Sequence, residues 1–363
     1  MNVRLAAWNV LCDLLFSRVN AHDELHANVG DATFDAELVG LANSTLTTAS
    51  LWPALRRNSL DDRLSKDIGE YLSAYYALST ERNQGIRLQL TECVRALNQS
   101  GVTPLPLKGA AYLLSSLYPD PAERFMHDVD LLVPAAQAKD AASALADIGF
   151  RPAHMNFDHS KHHHLPPLVR TLDDVAIELH TAPVSSVAQA GLSTEEIWVG
   201  ATTMHHDHCC WHVATATDLA MLSFLHSEVV DRHLARCVLN LRGYLDLQQL
   251  VQRAGRNIDW RRNLARAGKC VGSSTFNCYL YVFMQLTGQI LPQFSRTRWR
   301  DRAYLAVCRS AVRWPAIQHW AHDVQELASR RLKRRYSIGD GSIILNAYRI
   351  RALGGMIRNR LFN

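Results

Sequence analysis

The residues Leu107-Lys108-Gly109, followed by Arg124-Phe125-Met126-His127-Asp128-Val129-Asp130-Leu131-Leu132-Val133, decide how this chain is read. An apolar run enters a Lys-Gly turn, a helical stretch follows, and a strand then carries Asp-x-Asp. A second acidic strand, Val175-Ala176-Ile177-Glu178-Leu179-His180, comes downstream. Side chains two apart on a strand share a face, so Asp128 and Asp130 project together while Val129 and Leu131 point the other way. With Glu178 on the neighbouring strand, three carboxylates converge. Such a cluster repels itself unless something positive sits in it, and divalent magnesium on nucleotide phosphates is the usual solution. Asp130 runs straight into Leu131-Leu132-Val133 and Glu178 lies between Ile177 and Leu179. Unpaired carboxylates in such apolar surroundings are costly, which favours a shared cation over three separate ion pairs.

Working outward, Pro104-Leu105-Pro106-Leu107 reads as short and extended, because proline biases its predecessor away from helix. A helix is expected over 109–118, stopped by Pro119-Asp120-Pro121. The strand 128–133 ends at Pro134, and an alanine-rich helix over 135–148 closes at Gly149. Strand, helix, strand, helix, strand in this short span predicts a small α/β sheet core. Residues 1–100 read as helical, with apolar positions three and four apart from Ile86 to Leu97 and a loop at 28–35. Helix returns beyond Pro183, most clearly over 217–230, 239–253, 276–286 and 303–312. The expectation is an α+β protein: a small mixed-sheet core at 101–182, a helical N-terminal lobe at 1–100 and a helical C-terminal lobe at 183–363.

The chain has 363 residues, enough for a sizeable core, with 48% hydrophobic and 20% charged residues. That balance is ordinary for a globular protein. A net charge of +5 suits an anionic ligand such as a nucleotide without arguing for nucleic acid. The eight cysteines show no C-x-x-C spacing, so reduced, mostly buried thiols are expected rather than a zinc site or a disulfide framework. The apolar start is interrupted by Asn9 and Asp13 and lacks a small-residue cleavage site, which predicts an amphipathic N-terminal helix and not a signal peptide. No run approaches the roughly 20 apolar residues needed to cross a bilayer, and the expected location is the cytoplasm.

Around the acids, Lys108-Gly109 combines a glycine that lets backbone approach a phosphate with a cation for a triphosphate. Arg124 could serve the phosphates or the acids. His159, His162, His163 and His164 crowd one segment, and His205, His206 and His208 another, but neither carries a recognisable metal-ligand spacing. They are expected in solvated or substrate-facing loops, with His164 a candidate for the cleft. His180 shares the face of Glu178 and is the best placed histidine. His226 falls in an amphipathic helix. Arg242 and Asp246 are four apart, a spacing that fits a helix-surface ion pair or two groups facing the cleft. The basic run 330–336 reads as a solvated helix face, or as one that meets RNA, an acidic protein or a membrane surface.

These residues together resemble a family. The pattern Lys-Gly … Arg-x-x-x-Asp-x-Asp-Leu-Leu-Val … Glu-Leu-His, with weaker matches at His226 and at Leu241 to Asp246, is similar to that of uncharacterised bacterial nucleotidyltransferases in the polymerase-β-like superfamily. The likeness runs over residues 85–255. It implies that Asp128, Asp130 and Glu178 hold two magnesium ions, or manganese in their place. It also implies that Lys108, Gly109 and Arg124 bind an NTP such as ATP. An NMP group would then pass to a hydroxyl of an acceptor, with pyrophosphate released. The superfamily's usual Gly-Ser turn is Gly109-Ala110 here, which removes one phosphate contact that Lys108 would replace. Nothing in the sequence selects among a small molecule, a peptide or protein, and RNA as acceptor. Two other readings stay open: a nucleotide-binding or interaction module without turnover, and a histidine-based metalloprotein.

Overall fold

The computed structural model describes residues 2–17, 27–153, 163–171, 173–291, 294 and 298–322. Among the described residues four α-helices come first: α1 (Val3–Phe16), α2 (Ala32–Ser44), α3 (Thr48–Arg57) and the 34-residue α4 (Lys66–Gln99). The sheet region then runs β1 (Leu105–Pro106), α5 (Lys108–Leu114), β2 (Asp128–Leu132), α6 (Ala138–Asp147), β3 (Arg151–Pro152), β4 (Leu168–Val169) and β5 (Ala176–His180). After α7 (Thr194–Gly200), a hairpin of β6 (Thr202–His206) and β7 (Cys209–Val213) leads into helices again. These are α8 (Ala216–Leu225), α9 (Leu241–Ala254), α10 (Trp260–Cys270), α11 (Ser273–Thr287) and α12 (Trp299–Arg313). The fold is α+β, as the sequence predicts.

The five-stranded sheet has the order β1-β2-β5-β4-β3. Its central pair, β2 and β5, is parallel, with Asp130 opposite Glu178 and Leu132 opposite His180; β1 and β4 flank it antiparallel. Strand alternation then sorts the side chains. Val129, Leu131, Ile177 and Leu179 are fully buried in a core that also takes Ile86, Leu90 and Leu97 of α4 and Ala141 and Leu145 of α6. Asp128, Asp130, Glu178 and His180 are left for the other face. On that side a second core collects α1, α2 and α3 with α8 to α12, and it includes Leu105, Leu107 and Leu132 of the sheet region. The acids therefore sit where the sheet meets the helices of both chain ends.

Four local expectations need correction. Helix α1 is not amphipathic: ten of its fourteen residues are buried, because it packs against α2, α3, α9, α11 and α12 at once. The expected loop at 28–35 is shorter, since Asp31 accepts hydrogen bonds from the Thr33 and Phe34 amides and caps α2. Helix α5 stops at Leu114, well short of Tyr118. His205 and His206 lie on strand β6 rather than in a loop, His208 is in the turn to β7, and all three are exposed. His159, His162 and the basic run 330–336 lie outside the described residues. All eight cysteines are free thiols, and no helix among the described residues is long and apolar enough to cross a membrane.

Candidate active site

Asp130 is the centre of the site. It is 1% exposed and its Oδ1 accepts two hydrogen bonds, from Lys108 Nζ at 2.9 Å and from His180 Nε2 at 2.7 Å. Burial alone would raise this carboxyl, but Lys108 and His180 outweigh it and hold Asp130 well below the usual carboxylate range. An ionised carboxylate only accepts, so Nε2 of His180 carries the proton in this contact. The same nitrogen lies 3.5 Å from Glu178 Oε2. Burial works against an imidazolium there, yet the two acids prevail and raise His180 above its ordinary value. The hydrogen bond from His180 lowers Glu178 in turn. One ligand atom each from Asp130, Glu178 and His180 lie within 4.8 Å of one another, a spacing that a metal ion can bridge.

Asp128 completes the acidic face without joining that tight group. Burial, then repulsion from Asp130, raises its carboxyl, and Glu178 adds to the repulsion. The three acids thus feel one another, as the strand alternation requires.

Lys108 gains its position from strained backbone. Its φ is 47°, in the left-handed region that a lysine seldom occupies. The turn after β1 aims Nζ at Asp130, and burial of the ammonium is more than offset by attraction to Asp130, Asp128 and Glu178, so its pKa rises. Gly109 beside it has a packing reason of its own: a Cβ would stand 2.5 Å from Met126 Sδ and 3.3 Å from an Arg124 nitrogen. A cavity of about 150 Å³ borders Gly109, Tyr112, Arg124 and Met126 but none of the acids.

Arg124 lines that cavity and does not meet the acids of β2 and β5. Its Nε and Nη2 donate to the two oxygens of Asp246 at 2.8 and 3.0 Å, and Tyr118 Oη donates to the same carboxylate at 2.6 Å. Arg124 and Asp246 are 11% and 8% exposed, so this is a buried strut between the segment before β2 and helix α9. It replaces the surface pair Arg242–Asp246 that the i, i+4 spacing suggests. Arg242 instead reaches the Phe125 carbonyl at 3.4 Å and lies within electrostatic reach of His127 and Asp128.

The histidines divide. The rings of His163, His164 and His180 stand 5.1–5.3 Å apart, so both described members of the first cluster adjoin the acids. Burial, then His180 and His164, push His163 down to about 3. Nδ1 of His180 is buried without a hydrogen-bond partner among the described residues. His226 pairs through Nδ1 with Asp231 at 3.0 Å. Lys108 also acts on Asp231, and α8 packs on α5, so this pair lies on the helical side of the same cleft. Sequence reasoning misses Asp231 because a five-residue spacing does not bring side chains together on an α-helix. The turn at His226–Val230 is π-helical, and the Asp231 amide bonds the His226 carbonyl at 2.9 Å.

A lysine, three mutually repelling acids on paired parallel strands and a histidine between them form a cationic and acidic cleft suited to a phosphate-bearing substrate with a divalent ion. No curated protein matches the chain. A family model described as uncharacterised nucleotidyltransferase matches residues 33–288, which hold every one of these groups, and the chain belongs to that nucleotidyltransferase family.

Proposed function

We propose that the protein transfers a nucleoside monophosphate from an NTP to a hydroxyl of an acceptor and releases pyrophosphate. The observation that carries this reading is the Asp130–Glu178 register, which brings two carboxylates of adjacent strands beside Lys108, with Asp128 on the same face. Asp128, Asp130 and Glu178 offer hard oxygen donors of the kind magnesium takes, and their mutual repulsion fits a site completed by a cation. A divalent ion held there would neutralise phosphate charge and make the acceptor hydroxyl easier to deprotonate.

The chain's own groups do the rest. Lys108 extends the positive charge towards the triphosphate, and its strained φ keeps Nζ at the acids. His180 fixes the Asp130 carboxylate, which orients its other oxygen, and the apolar neighbours Leu131 and Leu179 keep both strands rigid. In the transfer, the acceptor oxygen bonds to the α-phosphorus, the bond from that phosphorus to the bridging oxygen breaks, pyrophosphate leaves, and the acceptor proton passes to solvent. The C-terminal helices that face the acids would form the acceptor side. Small molecules, peptides or proteins and RNA are all compatible acceptor classes.

One observation favours a second reading. Lys108 and His180 already neutralise Asp130, so the cleft is stable as it stands and would also serve a nucleotide-binding module without turnover. Pyrophosphate release separates the two. Wild type and Asp128→Ala/Asp130→Ala, each given ATP, GTP, CTP or UTP with magnesium and an extract of the native host, are expected to differ at least a hundredfold. Equal, background-level release with all four nucleotides would favour the non-catalytic module.

A further inference from the structure

We propose that Arg242 binds the phosphates of the nucleotide from the helical side of the cleft, which rests on the nucleotide-site reading above. Three other arginines of the folded protein have strong acidic partners. Arg124 has both oxygens of Asp246, Arg266 bonds Asp218 at 2.7 Å, and Arg170 bonds Glu92 and Asp173 at 2.7–3.2 Å. Arg242 differs. It is half-buried, and its recorded hydrogen bond among the described residues is a long one, Nη1 to the Phe125 carbonyl at 3.4 Å. The acid four residues on, which its spacing offers as a partner, is taken by Arg124. Its charged neighbours are the Arg124 cation, the Asp246 carboxylate that Arg124 already holds, and Asp128 of the acidic face.

Burial, then Arg124, work against the charge of Arg242. A guanidinium does not lose its proton in a protein, so a partly desolvated cation stays there with no acid of its own hydrogen-bonded to it among the described residues. None of its nitrogens is among the buried, unpartnered polar atoms of the described residues, and its charge acts on Asp128. A planar fork of N–H groups is matched by two phosphate oxygens, and a polyphosphate beside the acids would supply the missing anion. Lys108 from the sheet side and Arg242 from the helix side would then grip the nucleotide between them. The arrangement also predicts an unusual pairing of effects. Removing the charge relieves the repulsion with Arg124, so the free protein should not be weakened, while the affinity for phosphates should fall.

The test uses the full chain and labelled inorganic pyrophosphate with magnesium, by equilibrium dialysis, beside a thermal melt without ligand. Arg242→Met should bind pyrophosphate about 10- to 100-fold more weakly than wild type. Its melting temperature should be unchanged or higher. Arg242→Lys should recover part of the affinity, since it restores the charge and not the fork. Arg262→Met, on the exposed side of α10, should bind as wild type does. Wild-type binding with an unchanged Arg242→Met affinity would overturn this inference alone. A loss of binding together with a lowered melting temperature would assign Arg242 a structural role and also overturn it. Failure of the wild type to bind pyrophosphate or any NTP would overturn the nucleotide-site reading and this inference with it.

Discussion

Replacing Arg124 with methionine should destabilise the protein by about 3–5 kcal/mol, the usual effect of stripping one partner from a buried ion pair. Asp246 would keep the Tyr118 hydroxyl at 2.6 Å but lose both guanidinium contacts, at 2.8 and 3.0 Å, in a place where its side chain is 8% exposed. Methionine fills much of the volume, so the loss is electrostatic and not a cavity. An unfolding entropy of about 2.1 cal/mol/K per residue over 363 residues is roughly 0.8 kcal/mol/K if the chain unfolds as one unit. A loss of about 4 kcal/mol then lowers the melting temperature by roughly 5 °C. The double variant Arg124→Met/Asp246→Leu should recover part of this loss, because the orphaned charge is gone and only the Tyr118 hydroxyl is left without its acceptor. Urea unfolding and thermal melts followed by circular dichroism measure both. A shift under about 1 °C for the single variant, as expected of a surface arginine, would refute the buried strut. So would a double variant less stable than wild type by the full sum of the two single losses.

Lys108→Gly should relax a backbone held at φ 47°, worth of order 1 kcal/mol, yet lower nucleotidyl transfer by about 10²–10³-fold through loss of the ammonium. A variant as active as wild type would remove Lys108 from the site. Glu228 is fully buried, which pushes its carboxyl up to about 7 against an ordinary 4.5, with Ser227 and the Leu234 amide opposing the rise. The folded protein therefore holds this proton more tightly than the unfolded chain. Its contribution to stability is complete below about 4.5 and is lost as the pH rises to about 7, on the order of 3 kcal/mol in all. Melting temperatures from pH 4.5 to 8 should fall more steeply for wild type than for Glu228→Gln, and parallel profiles would contradict this.

The acidic face was legible because alternation on a strand is a strictly local rule. Asp128 and Asp130 had to share a face, and the apolar partners at 129, 131, 177 and 179 had to share the other. The first needs only β2 itself, whereas the second also needs β5 to pair with β2 in this register. What escaped the sequence depends on distant or irregular contacts. Arg124 and Asp246 are 122 residues apart, and no local pattern shows that the strut forms or that it takes Asp246 away from Arg242. The burial of α1 on all sides follows from helices recruited from both chain ends. The β6–β7 hairpin turns through Asp207 and His208 at φ 46° and 62°, without the Asn-Gly or Asp-Gly pair that usually marks such a turn. The His226–Asp231 pair required a π-helical turn, which periodicity at 3.6 residues does not detect.

The central claim is that the acids on β2 and β5 support transfer of the α-phosphoryl group. It is tested most directly by incubating wild type and Asp130→Asn with magnesium, host extract and each NTP labelled in turn at the α- or the γ-phosphate. The account predicts label on a host component from the α-position only, from wild type only, with pyrophosphate formed in equal amount. Label arriving from the γ-position, or α-label transferred equally well by Asp130→Asn, would contradict it.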